Sequence, residues 1–112
     1  MLKFNIGVDI QQVSDFDAAN SILLRKIFTN KELKLLRNKG KSHLAGLFSA
    51  KEAVIKACNP IKKIRLKEVE VFHNKDGSPY VKIRNQRINS KNLKISISHS
   101  KDYSAAVAIV SY

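Results

Sequence analysis

Leu47-Phe48-Ser49-Ala50-Lys51-Glu52-Ala53-Val54-Ile55-Lys56-Ala57 reads as a helix whose two sides have different occupants. At about 100° per residue, Leu47, Ala50, Val54 and Ala57 fall on one side and Phe48, Glu52 and Lys56 on the other. The first side is a core face. The second sets a carboxylate and an ammonium one turn apart beside an aromatic ring, an arrangement that can hold a metal ion next to a phosphate. As a surface feature alone, the same Glu-Lys pair would only stabilise the helix, by about 0.2–0.5 kcal/mol. Ser42 is placed to cap a helix over 43–58, which stops at Asn59-Pro60 because proline restricts the residue before it.

Two strand-like segments flank this helix in the chain. Phe4-Asn5-Ile6-Gly7-Val8-Asp9-Ile10 predicts a strand with one acidic residue inside an otherwise buried run, where a carboxylate must be paired, hydrogen-bonded or metal-bound. Leu93-Lys94-Ile95-Ser96-Ile97-Ser98-His99-Ser100 alternates apolar and polar residues and delivers His99 and Ser100 into a turn, a place for a ligand-facing imidazole.

The rest follows from local signals. A helix is expected near 17–27. Thr29-Asn30-Lys31-Glu32 fits a capping box opening a second helix that ends near Gly40. Strands are expected near 67–73, 79–84, 93–99 and 104–111, with turns at Asp76-Gly77 and Lys101-Asp102, and 85–92 is polar and unassigned. The fold class is α+β: a mostly antiparallel sheet packed against a long helix and shorter ones.

A length of 112 residues at 44% hydrophobic makes one domain, 1–112, with room for a core. The single cysteine, Cys58, excludes an internal disulfide, suits a reducing compartment and reads as a packing residue. Met1-Leu2-Lys3-Phe4 has no apolar leader core and no stretch is long enough to span a bilayer, so a cytoplasmic protein with no membrane partner is expected. Twenty-one Lys and Arg against nine Asp and Glu, net +12, imply an anionic partner. The basic residues are spread along the chain, and the five Phe and three Tyr show no interleaved stacking pattern. That disfavours nucleic acid. A phosphate-rich cofactor or an acidic protein substrate accounts for the same excess.

Taken together, Gly7-Val8-Asp9-Ile10, the block from Leu44-Ala45-Gly46 through Ala57, and Ser96-Ile97-Ser98-His99-Ser100 resemble, in residues, order and spacing, the holo-acyl-carrier-protein synthases, a family of 4'-phosphopantetheinyl transferases. Asp76-Gly77-Ser78-Pro79-Tyr80 and Tyr103-Ser104-Ala105-Ala106-Val107-Ala108 extend the resemblance over nearly the whole chain.

The resemblance implies transfer of the 4'-phosphopantetheine arm of coenzyme A to a serine of apo-acyl carrier protein, releasing adenosine 3',5'-bisphosphate. Asp9 and Glu52 would bind Mg2+. Lys56 would contact the diphosphate, completing a catalytic set of Asp9, Glu52 and Lys56. A metal-bound water or Glu52 would take the serine proton. His99 would bond a phosphate at the nucleotide end, or else cap a carbonyl in its turn. Ser100 would assist through its hydroxyl or N–H, and the Gly77 and Pro79 loop would lie near the adenine. Lys51 either supports the cofactor or is solvated, Phe48 is core or ligand-facing, and Gly46 permits a close approach or serves packing. His43 and His73 read as isolated surface residues.

Two departures concern substrate contacts. Leu47 stands where many relatives have arginine, leaving Lys41, Lys62, Lys63 or Arg65 to substitute, and Ser14, Asp15 and Asp17 stand where relatives carry basic residues that grip the carrier. Arg25, Lys26, Lys31 and Lys34 are the alternative basic set. The family forms homotrimers with active sites between subunits. Ala105–Val110 is apolar on both strand faces and needs cover on both, from a neighbouring copy or from helices of the same chain.

Overall fold

The computed structural model describes residues 3–85 and 87–112. Met1 and Leu2 of the opening stretch and Gln86 of the polar segment lie outside the described residues. Five strands and three helices run in the order β1 (Phe4–Gln12), α1 (Ser21–Ile27), α2 (Asn30–Leu35), α3 (Lys41–Cys58), β2 (Val69–His73), β3 (Pro79–Ile83), β4 (Leu93–His99) and β5 (Tyr103–Ser111). β1, β5 and β4 form one antiparallel sheet in that order, and β2 and β3 form a second, antiparallel pair. This is the expected α+β architecture.

The long helix α3 lies across the three-stranded sheet and also touches β2. Its burial is wider than the sequence wheel implies: beyond Leu47, Ala50, Val54 and Ala57, the residues Ala45, Ser49, Lys51, Ala53 and Cys58 are buried as well. Phe48 is half-buried and meets the Phe16 ring edge-on at 5.9 Å, so it belongs to the core margin.

Several local expectations need correction. Residues 17–20, predicted as the start of a helix, are a turn and an irregular link that follow a 3-10 turn at Val13–Phe16, and α1 starts only at Ser21, where the Asn20 side chain accepts from the Leu23 N–H at 3.0 Å. The Thr29 capping box is present, with both of its bonds, but α2 ends at Leu35 and the chain turns through a left-handed Asn38, φ 65°, before reaching Gly40. Helix α3 is capped by Gly40 with no side-chain bond; the Ser42 hydroxyl is turned instead toward the His99 ring.

The largest correction concerns β1. The strand is not a buried run: Phe4, Ile6, Val8 and Ile10 are 63–69% exposed, while Asn5, Gly7, Asp9 and Gln11 face α3. Alternation along a strand sends successive side chains to opposite faces, and here the polar set is the one directed at the helix. Asp9 is therefore partly buried because of register and not because of hydrophobic neighbours along its own strand.

Candidate functional site

Gly7 makes the site possible. A Cβ built on it would fall 2.1 Å from the carbonyl oxygen of Ala53 and 2.6 Å from the amide nitrogen of Ala57, so β1 crosses α3 with backbone against backbone. Glycine inside a strand commonly marks such a close approach. Two positions later, Asp9 reaches the helix: Lys56 Nζ donates to Asp9 Oδ1 at 2.9 Å and to the Val8 carbonyl at 3.0 Å, and Gln11 Nε2 donates to Asp9 Oδ2 at 2.6 Å. Glu52, one turn before Lys56, is half-buried at the same crossing. Burial pushes its carboxyl above the ordinary range, the Asp9 charge pushes it further the same way, and Lys56 opposes both.

Two carboxylates from different elements thus converge, with the Lys56 ammonium bonded to one of them and its charge felt by the other. Among the described residues no third His, Cys, Asp or Glu joins them. The donor set is two hard oxygen ligands whose mutual repulsion a divalent cation would relieve. Such a set fits magnesium, which usually takes one or two carboxylates and completes its shell with water and phosphate oxygens.

At the β4–β5 hairpin end of the sheet, two positions along β5 from the partner of Asp9, the His99 imidazole lies against Gly46 of α3. A Cβ there would sit 2.3 Å from Cε1 and 3.1 Å from Nε2 of the ring. The close approach open to Gly46 is therefore made by a side chain. His99 Nδ1 is 2.8 Å from Ser104 Oγ and 3.4 Å from Ser42 Oγ, and Ser104 Oγ also donates to the Ser42 carbonyl at 3.3 Å. Nδ1 is thus held by the two serine hydroxyls, and Nε2, over Gly46, is the ring nitrogen left for a ligand. His99 is not capping a turn carbonyl.

Ser100 N–H donates to the Tyr103 carbonyl at 2.8 Å, closing the β4–β5 hairpin, while its exposed hydroxyl accepts from the Tyr103 N–H at 3.3 Å and donates to the Tyr103 carbonyl at 3.4 Å, so both of its expected contributions are engaged within the turn. Gly77 sits at the exposed tip of the β2–β3 hairpin with φ 90°, a conformation that favours glycine, and Asp76 accepts from both the N–H and the hydroxyl of Ser78. Pro79 opens β3 opposite His73.

Lys51 corrects both readings given to it. Its side chain is fully buried, ion-paired with Glu32 and 5.3 Å from the centre of the Phe28 ring, and so neither meets solvent nor reaches a cofactor. Glu32 also accepts from the N–H groups of Thr29 and Val71, at 3.0 and 2.9 Å, which ties α2, α3 and β2 together. Leu47 is core at 4% exposed, so it leaves no cation at the site, and Lys41, one of the possible substitutes, is bonded to Asp17 at 2.6 Å.

His43 and His73 are not isolated. Their rings are 5.6 Å apart, in a cleft of about 440 Å³ lined by Leu35, Lys39, His43, Phe72, His73 and Tyr80. Thirty positions separate them in the chain, and no local spacing signals the pairing. Gly7 did carry a signal, glycine within an apolar strand; Gln11 and Ser104 carried none beyond their register.

Residues 5–108 match the model of the 4'-phosphopantetheinyl transferase superfamily. The chain belongs to that family. It is 39% identical to a holo-[acyl-carrier-protein] synthase of Thermodesulfovibrio yellowstonii, covering 94% of this chain and 96% of that one. A holo-[acyl-carrier-protein] synthase of Caldicellulosiruptor bescii is 36% identical, covering 95% and 96%. Among solved structures, the Bacillus anthracis holo-(acyl-carrier-protein) synthase in complex with CoA (3',5'-ADP) superposes with a TM-score of 0.81 at 28% identity, covering 96% of this chain and 95% of that one.

Proposed function

We propose that this chain, as one domain over 1–112, is a holo-acyl-carrier-protein synthase. It moves the 4'-phosphopantetheine arm of coenzyme A to a serine of the apo-acyl carrier protein of fatty-acid synthesis and releases adenosine 3',5'-bisphosphate. The observation that carries this reading is the meeting of Asp9, Glu52 and Lys56 at the Gly7 crossing, in a chain whose relatives bear that enzyme's name.

In this reaction the serine oxygen attacks the phosphorus bearing the pantetheine and the diphosphate bond breaks, so the protein's work is positioning and charge neutralisation. Asp9 and Glu52 hold magnesium, which when bound neutralises the diphosphate oxygens. Lys56 turns from Asp9 to a phosphate oxygen as the site loads; its side chain is 53% exposed and free to do so. His99 presents Nε2 at the nucleotide end, with the Ser100 turn and the Gly77–Pro79 loop beside it.

The working form is a homotrimer with each site completed by a neighbour. The stripe of Phe4, Ile6, Val8 and Ile10, continued by Ile109, supports this: it is exposed, apolar and covered by no helix among the described residues. Helices over both sheet faces, the single-chain alternative, are not found there. No described helix is long and apolar enough to cross a membrane. The substrates place the enzyme in the cytoplasm.

The test is mass spectrometry of apo-acyl carrier protein incubated with coenzyme A, magnesium and this protein. Gain of one phosphopantetheine arm is expected, and an unchanged carrier mass would reject the reading.

A further inference from the structure

Alternation along β1 turns Asn5, Gly7, Asp9 and Gln11 toward α3. Gly7 and Asp9 form the crossing with the helix, and Gln11 bonds to one of them. Its half-buried side chain doubles back along its own strand and places Nε2 2.6 Å from Asp9 Oδ2. An ionised carboxylate only accepts hydrogen bonds, so the amide nitrogen is the atom that faces it. The strand itself does not depend on this bond, because β1 is paired with β5 from Phe4 to Gln12.

The two oxygens of Asp9 therefore have different partners. Oδ1 takes Lys56 Nζ at 2.9 Å, and Oδ2 takes the Gln11 amide. These partners differ in what a phosphate offers them. Lys56 carries a charge on an exposed, flexible stem and gains by turning to an anion; Gln11 is neutral and has no such reason to leave. Once Lys56 has turned, Asp9 has Oδ1 open and Oδ2 still bonded, and it offers a metal one oxygen. Magnesium demands a near-ideal octahedron, which the narrow bite of a two-oxygen carboxylate distorts, whereas calcium takes a larger, looser shell and accepts a carboxylate through one oxygen or two. Holding Oδ2 back penalises the two-oxygen mode and so favours the smaller ion.

We infer that Gln11 is a positioning residue: its amide fixes Asp9 as a one-oxygen ligand and thereby sets the preference of the site for magnesium over calcium. This rests on the transferase reading and adds to it a residue, acting through Asp9, that decides the choice of metal.

The experiment measures the affinity of the protein for coenzyme A across a range of Mg2+ and, separately, Ca2+ concentrations, with no carrier present so that nothing turns over. The midpoint of each series reports how strongly that ion is held. Wild type is compared with Gln11→Met, which keeps the length of the side chain and removes the donor; binding of the ions to coenzyme A alone is common to both proteins and cancels. Hydrogen-bond partners of metal ligands are worth about 10–100-fold in metal affinity, so the Mg2+ midpoint should rise by about tenfold or more. The Ca2+ midpoint should rise by about threefold at most, since the freed Oδ2 becomes available to that ion. Thermal melts check that the variant is folded. Gln11→Asn, whose amide stops one methylene short of Asp9, gives a second measure in which the preference for magnesium should also narrow. Midpoints that do not move, or that rise by the same factor for both ions, would overturn the inference: in the first case Asp9 does not need the bond, and in the second Gln11 supports the site without orienting its carboxylate. Carrier modification by the wild type would meanwhile leave the transferase reading standing. A wild type that neither modifies the carrier nor binds coenzyme A with either ion would overturn that reading, and this inference with it.

Discussion

Gly7 and Ala53 touch through their backbones: a Cβ on the glycine would stand 2.1 Å from the alanine carbonyl oxygen. Neither backbone can swing aside as a side chain can, so Gly7→Ala must push β1 off α3. Overpacking of this kind costs about 1–3 kcal/mol, and the rigidity of both partners puts this variant at the upper end. The same shift separates Asp9 from Lys56 and Glu52. Denaturant unfolding should show the stability loss, and carrier modification should fall even at temperatures where the variant is fully folded. Retention of full activity would mean that the crossing does not set the site.

Gly46→Ala tests the other close approach and should behave differently. The obstructing group there is an imidazole, 2.3 Å from the built Cβ, at the exposed end of β4. It can rotate away, so the stability cost stays small, about 1 kcal/mol or less. The ring then loses its seat between Gly46 and Ser104, and affinity for coenzyme A should fall to the level of His99→Gln. Equal affinities for wild type and Gly46→Ala would show that the seat is irrelevant to binding.

Much of this was legible in the sequence because it depends on neighbours along the chain. The Thr29 box, the Asp76-Gly77 turn and the alternation of 93–99 are local, and Glu52 and Lys56 share a face by helical period alone. What was not legible depends on pairings across the fold. Asp9 looked like a charge in a buried strand because Phe4, Ile6, Val8 and Ile10 are apolar. Only the β1–β5 register, with Asp9 opposite Ala106, shows that those four point away from the helix. Lys51 followed the helical wheel to an apparently free side, and the Glu32 carboxylate that covers it comes from another helix. His43 and His73 met for the same reason, through packing of α3 on the β2–β3 pair.

Glu52→Gln should separate activity from stability. The Glu52 carboxyl is raised by burial and by Asp9, so the folded state binds its proton more tightly than the unfolded state. For such an acid, stability falls as pH rises from the unfolded value through the folded one. Glutamine removes that loss. At pH 7–8 the variant should melt at the same temperature as the wild type or higher, the difference vanishing near pH 4, while carrier modification is abolished. A variant destabilised at pH 7.5 would assign Glu52 to the fold.

Lys51→Met should do the reverse. Removing one partner of a buried ion pair leaves an uncompensated charge and costs about 3–5 kcal/mol, here on Glu32, whose two backbone donors remain in place. Chemical denaturation should register most of that loss. Affinity for coenzyme A per folded molecule should stay within about twofold of wild type, below roughly 0.5 kcal/mol, because the ammonium has no exposed surface. A specific loss of affinity in a folded Lys51→Met protein would restore the lysine to the binding site.

Ile6→Lys and Val8→Lys probe the uncovered side of β1. Both residues are more than 60% exposed and lie on the face opposite Asp9 and Gln11. Burying an isoleucine or valine in an interface contributes about 1.5–3 kcal/mol, and a lysine there would add an unpaired charge. Sedimentation should find the wild type at three times the mass of one chain and the variants at lower mass. The variants should keep their helical circular dichroism, since no contact with α3 is altered. If each site needs a neighbour, carrier modification falls in proportion to the lost trimer and recovers at high protein concentration. A wild type that sediments as a single chain would require the apolar stripe to serve something other than self-assembly.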